Sequence, residues 1–225
     1  MPDSVKAILL VVGASASAAT MHNIVRYLTV EEGLHAFEVA FFRGFLGLII
    51  FIPVIARNGF GLFRTDMLPW HLGRGLVNAG AMLCMITALS LIPVGDVAAI
   101  SLVGPVFVAL LAIFFLGEKV GPRRWLGISL AVAGAFVVVR PGFVAINLGT
   151  VLVLMAVFLV SNSKVMAKML SRHDSPTTIV AYVTLLMTPV TLIPALFVWQ
   201  WPTLEQLIWL ITVGLLGTTG HLLFT

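Results

Sequence analysis

Of the chain's 225 residues, 60% are apolar and only 10% charged, against an ordinary charged share of roughly a quarter. A mean hydropathy of +1.11 leaves no room for a sizeable soluble domain. The net charge of +4 would suggest nucleic acid for a soluble protein, but the basic residues sit in loops between apolar runs, so membrane topology accounts for them and no nucleic-acid partner is expected.

An apolar helix rises ~1.5 Å per residue, so ~20 residues cross the ~30 Å hydrocarbon core. The N-terminal stretch MPDSVKAILLVVGASASAAT has the Lys6, apolar core and small residues of a secretory signal. Its helical pattern nevertheless runs on to about Arg26, and the small residues Gly13 to Ala19 suit close helix packing, so a first span is expected at about Val5–Tyr27. A second span is expected at about Ala36–Ala56 and a third at about Leu72–Ile92, after a basic connection carrying Arg57, Arg64 and Arg74. Pro93-Val94-Gly95-Asp96 turns into a hairpin of spans four (about Val97–Leu116) and five (about Trp125–Val139), joined by the charged turn Gly117–Arg124. Arg140-Pro141-Gly142 ends span five, because proline cannot continue a helix. Span six is expected at about Leu148–Met169, before Arg172. Span seven, about Ser175–Trp199, carries Pro189 and Pro194, and span eight starts near Leu204.

The charges test this count. With the N-terminus inside, ten of the thirteen Lys and Arg residues fall on the inner side, including Lys6, Arg74, Lys119, Arg123, Arg124, Lys164 and Lys168. The single Cys84 lies in an apolar run and cannot form an intrachain disulfide or a multi-cysteine metal site. No Walker loop, H-E-x-x-H or G-x-S-x-G occurs, so no catalytic residue, metal or cofactor is expected.

The chain repeats weakly at about 140 residues. Gly75-Leu76-Val77 matches Gly214-Leu215-Leu216, Ile52-Pro53 matches Ile193-Pro194, and Arg26–Thr29 resembles Lys168–Ser171. The first repeat is expected over 5–140 and a partial second over 147–225. One unit holds five spans, an odd number, so the second copy enters the membrane inverted, as in secondary transporters whose site lies between the repeats. The second copy stops before any counterpart of spans four and five, so two further helices are expected after Thr225.

The segment SLVGPVFVALLAIFFLGEKVGPRRWLGISLAVAGAFVVVRPG resembles the EamA family of the drug/metabolite transporter superfamily. HAFEVAFFRGFLGL and ALSLIPVGDVAAI resemble the second helix and the third-to-fourth turn of its bacterial members. The resemblance implies an all-α polytopic membrane protein of inverted five-helix repeats, a ten-span fold of which about eight spans are present. It further implies a multi-pass carrier of a small organic solute in the bacterial inner membrane, often an exporter, using alternating access and a proton or cation gradient. A homodimer stays an open alternative.

Arg43, about two turns into span two, is the most informative residue. Intramembrane charge is costly and usually faces a cavity or a partner, so Arg43 either contacts an anionic group of the solute or snorkels or pairs with Glu38. Five residues is a poor helical spacing for that pair. Glu38 is a proton-coupling carboxylate or a solvated helix-start anion. His22 and Asn23 lie in the outer part of span one, where His22 titrates or is simply hydrogen-bonded. Asn78, midway along span three, bonds solute or a neighbouring helix. Asn162, Tyr182 and His221 are weaker candidates of the same kind. The cavity is expected between spans one, two, three, six, seven and eight. Two rival readings remain, a non-transporting truncated protein or structural membrane subunit, and a membrane enzyme, which would need clustered His, Asp or Glu at midplane depth.

Overall fold

The structure is a computed structural model that describes residues 3–117, 121–139 and 147–223; for residues 3–11, 58, 60, 123–124, 131–132, 135–139 and 218–223 it describes the backbone alone. The expected end of span five at Arg140-Pro141-Gly142 and the turn residues Glu118 and Lys119 lie outside it. The described chain is helical: α1 (Asp3–Val30), α2 (Ala36–Asn58), a 3-10 turn (Phe60–Phe63), α3 (Leu68–Leu91), α4 (Val94–Ser101), α5 (Gly104–Leu116), α6 (Pro122–Val139), α7 (Leu148–Leu170), α8 (Pro176–Leu196) and α9 (Leu204–Leu223). These helices fall on the eight expected spans, with α4 and α5 sharing span four. Among the described residues five stretches are long and apolar enough to cross a membrane, namely Ala36–Arg57, Leu68–Leu91, Val94–Leu116, Leu148–Leu170 and Pro176–Leu196.

Local chemistry sets the helix ends. His35 caps α2: its ring accepts from Phe37 N–H at 3.2 Å, while its own N–H donates to Glu38 Oε2 at 3.3 Å, a reciprocal capping box. Asn147 and Ser175 cap α7 and α8 by accepting from the N–H groups of Thr150 and Thr178. The break between α4 and α5 follows from Pro105, which has no N–H to donate to the carbonyl of Ser101. Ser161 Oγ on α7 lies 3.3 Å from the Gly104 carbonyl it donates to at that break and 2.7 Å from the Val157 carbonyl. Gly117 ends α5 at φ 64°, a left-handed position that an L side chain occupies only under strain.

Several helix contacts come in corresponding pairs. α3 lies against α7 as α1 lies against α9, α3 meets α8 as α9 meets α2, and α2 and α8 face each other at the centre. The closest approaches repeat this relation. Gly75 on α3 abuts Leu186 on α8, where an added Cβ would come within 2.7 Å of the leucine Cβ; Gly214 on α9 abuts Leu46 on α2, with 2.6 Å for the corresponding atom. The two glycines are 139 residues apart and the two leucines 140, the spacing of the sequence repeat. Glycine at these points lets the backbones approach, which drives helix association where lipid is as apolar as the side chains.

The two ends of the bundle are closed by different side chains. At one end, where α1 finishes and α2 and α9 begin, Glu38 Oε1 accepts the N–H of Gln200 in the α8–α9 connection, and the Trp199 ring lies 5.6 Å from Phe41 and 5.7 Å from Phe42. Arg26 Nη1 donates to the carbonyls of Leu89 and Ile92 there. At the opposite end Thr65 and Asp174, from the α2–α3 and α7–α8 connections, are bonded at 2.7 Å, and Tyr182 donates to the Phe63 carbonyl.

Candidate functional site

A cavity of about 150 Å³ is lined from α2, α3, α7, α8 and α9. Arg43, the eighth residue of α2, projects into it. Glycines make the room: Gly44, Gly47, Gly214 and Gly217 line the cavity, and a Cβ on Gly217 would sit 3.0 Å from Arg43 Nε. That Nε is buried and has no hydrogen-bond partner among the described residues. Such a buried donor carries a penalty of about 1–3 kcal/mol unless something occupies it.

Arg74 and Lys164 line the same cavity, together with Asn78, Ser163 and Thr184. Arg74 is the seventh residue of α3, because the helix starts at Leu68 with Pro69 in its first turn, four residues before the expected Leu72. The earlier start carries Arg74 inward, away from the surface connection where the sequence analysis placed it. Its Nε donates to the Ser163 carbonyl at 3.2 Å and its Nη1 to the Ile179 carbonyl at 2.9 Å. Both partners are main-chain oxygens, so the guanidinium is oriented between α7 and α8 without being neutralised. Among the described residues no carboxylate lines the cavity, and neither arginine nor Lys164 is in a salt bridge.

A second, larger cavity of about 910 Å³ adjoins the first, sharing Val160 and Lys164 of α7 as walls. It surrounds the α4–α5 break at Gly104-Pro105 and reaches His22 on α1, Ser101, Gly127 on α6 and Ser161. Lys164 therefore stands between two compartments.

The expected site residues separate on this geometry. Arg43 and Asn78 meet in the central cavity, where Asn78 Nδ2 donates to Met187 Sδ at 2.9 Å, so this amide already bonds a neighbouring helix. His22 lines the second cavity and lies within electrostatic reach of Arg43. Neither cavity is lined by Asn23, Glu38, Asn162 or Tyr182. Asn23 donates to the Ala19 carbonyl on its own helix, and Glu38 is fully buried in its capping box and against Gln200. Asn162 is half-buried on α7. Tyr182 stacks on His71, ring centroids 4.3 Å apart, and holds the Phe63 carbonyl. His221 lies on α9, and its side chain is outside those described. Span one lines the second cavity rather than the first.

Sequence reasoning missed Arg74, Lys164 and the His71–Asp174 pair. Pro69 was the available signal for the first, since proline favours the first turn of a helix and so dates its start. His71 is fully buried, its Nε2 2.9 Å from Asp174 Oδ2, which also accepts from Thr65 Oγ. Burial raises the Asp174 carboxyl pKa, but hydrogen bonds from His71 and Thr65 and the neighbouring His71 and His173 outweigh it and hold the group below the usual carboxylate range.

Residues 5–140 match the EamA-like transporter family. The chain is 30% identical to a riboflavin transporter of Vibrio cholerae over 89% of its own length and 68% of that protein's. It is 28% identical to an S-adenosylmethionine uptake transporter of Rickettsia bellii, covering 84% of the chain and 64% of the relative. The chain spans 60–68% of the length of the first curated relatives it matches. A solved crystal structure superposes with a TM-score of 0.65 over 97% of this chain and 75% of its own, at 18% identity, a likeness of fold.

Proposed function

The chain belongs to the EamA-like transporter family, within the drug/metabolite transporters, and from that premise we propose that it is a secondary carrier moving a small organic solute by alternating access. The observation that carries the reading is a central cavity lined from five helices, with a side-chain pairing between different spans at each end of the bundle. Alternating access requires the two ends to open in turn. Residues pairing at each end come from different spans, Glu38 with the α8–α9 connection and Thr65 with Asp174, so either closure can part without unfolding a helix. Repeats inverted in the membrane, over 5–140 and from 147 onward, supply the two equivalent motions. The excess of basic residues on one side supports an orientation with the N-terminus and the Thr65–Asp174 end toward the cytoplasm of a bacterial inner membrane. The relatives are named for chemically different solutes, riboflavin and S-adenosylmethionine, so kinship alone selects neither.

A test independent of solute identity is two-sided labelling. In a Cys84→Ala background, Asn78→Cys places one thiol on the central cavity. A membrane-impermeant maleimide is expected to label it from the inner face in inverted vesicles and from the outer face in right-side-out cells. Labelling from one face alone, or from neither, overturns alternating access and favours a non-transporting membrane subunit.

A further inference from the structure

We propose that the central cavity recognises an anionic group, a carboxylate or phosphate of the solute, through Arg43, Arg74 and Lys164 together. The inference rests on the carrier reading only for calling the ligand a solute; the chemistry of the cavity stands by itself.

Three cationic side chains from three different helices line one cavity of about 150 Å³, and among the described residues no carboxylate lines it. Cations gathered at one cavity repel one another, and the partly buried Arg43 and Arg74 lose hydration as well, so such an arrangement is retained where an anion completes it. The hydrogen bonding points the same way. Arg43 has its buried Nε unmatched, and among the described residues its guanidinium makes no hydrogen bond. Arg74 spends Nε and Nη1 on two carbonyls, which fixes its plane while leaving its charge unneutralised. Arginine pairs with carboxylate and phosphate through two parallel N–H donors, and oxygen anions need several such donors at once. Lys164, shared with the larger cavity, supplies a compact charge at the boundary, so an anionic head can sit centrally while the rest of the solute extends toward His22 and Ser161. The size agrees: about 150 Å³ accepts a group on the scale of benzene. The acids near the ends are already committed. Glu38 caps α2 and binds Gln200, and Asp174 binds His71 and Thr65, so neither neutralises the cluster.

The test is thermal unfolding of the purified chain in detergent with succinate or inorganic phosphate, at constant ionic strength set by sodium chloride, against succinamide as the uncharged match. At a hundredfold excess over Kd the anion is expected to raise Tm by roughly 5 °C or more and succinamide to leave it unchanged. Arg43→Gln and Arg74→Gln should each abolish the shift. Lys164→Gln, at an exposed position less exposed to folding defects, should reduce it about tenfold in apparent affinity. No shift with either anion, an equal shift with succinamide, or a shift undiminished in Arg43→Gln and Lys164→Gln overturns the proposal. The two readings fail separately: two-sided labelling with no anion shift leaves a carrier of uncharged or cationic solutes, and an anion shift with one-sided labelling leaves an anion-binding protein that does not transport.

Discussion

Alanine at Gly75 or at Gly214 is expected to lower the melting temperature of the purified protein by several degrees, whereas alanine at Gly80 leaves it within about one degree. At Gly75 the added methyl would come within 2.7 Å of Leu186 Cβ and 2.8 Å of its Cδ1; at Gly214 it would lie 2.6 Å from Leu46 Cβ. In both cases the nearest atom is a Cβ, fixed to the backbone, so no change of rotamer relieves the clash. The helices must move apart, α3 from α8 or α9 from α2. Overpacking of this kind costs about 1–3 kcal/mol, and for a chain of this size each kcal/mol lowers Tm by roughly 2–4 °C. Gly80 meets only Leu159 Cδ1 at 3.7 Å, an ordinary contact at the end of a flexible side chain. There the better helix propensity of alanine offsets any small rearrangement. Scanning fluorimetry of the three variants decides it: a harmless Gly75→Ala, or a Gly80→Ala as damaging as the others, would remove the close approach from the account of what holds the bundle. Because the two glycines occupy equivalent places in the repeat, their losses should also agree closely with each other.

That equivalence was legible in the amino-acid sequence, and much of the fold with it. Apolar length located the spans, and the Gly-Leu-Val and Gly-Leu-Leu triplets 139 residues apart each begin with a glycine at a close helix approach. Arg43 was legible for a simple reason: a guanidinium amid Phe41, Phe42 and Phe45 has few solvated places to go. Arg74 was not, because its depth depends on where α3 begins, and a shift of four residues moves a side chain by about 6 Å along the axis. Lys164 was hidden by its company, since Lys168 and Arg172 continue the same basic run toward the helix end and make all three look like topology signals. Glu38 shows the opposite error of emphasis. An intramembrane carboxylate invites a coupling role, yet its partners are two main-chain N–H groups, His35 and Gln200, which lie far apart in sequence and could be joined only by the fold. Composition gives the kind of group; only packing gives its partner.

The His71–Asp174 pair could not be read from sequence at all, and it carries the second large expectation. Asp174→Asn should destabilise the protein at neutral pH by about 1–3 kcal/mol, the loss expected when a hydrogen-bonded buried group is left without its charged partner. Beside the stacking of Tyr182, Asp174 is the ring's one hydrogen-bond partner among the described residues: His71 is fully buried, and its Nδ1 is unmatched. With Asp174 ionised, its Oδ2 accepts from the Nε2–H of His71 at 2.9 Å. The sign with pH follows from the carboxyl, whose folded pKa is depressed below its unfolded value near ~3.9. Its stabilisation is therefore fully present above that unfolded value and disappears as pH falls through the lower folded one. Melting curves taken downward from pH 7 should accordingly drop more steeply below the ordinary carboxylate range for the parent protein than for Asp174→Asn, so that the gap between the two narrows toward acid. Parallel curves would mean that the carboxyl is not held by His71 and Thr65 in solution. The consequence reaches transport, because this pair joins the α2–α3 and α7–α8 connections that close one end of the cavity. Loosening it should favour the conformation open at that end, so in the two-sided assay Asp174→Asn is expected to increase labelling of Asn78→Cys from the inner face at the expense of the outer. A variant that melts earlier but labels in the parent's proportions would leave the pair a brace of the fold and not a closure of the passage.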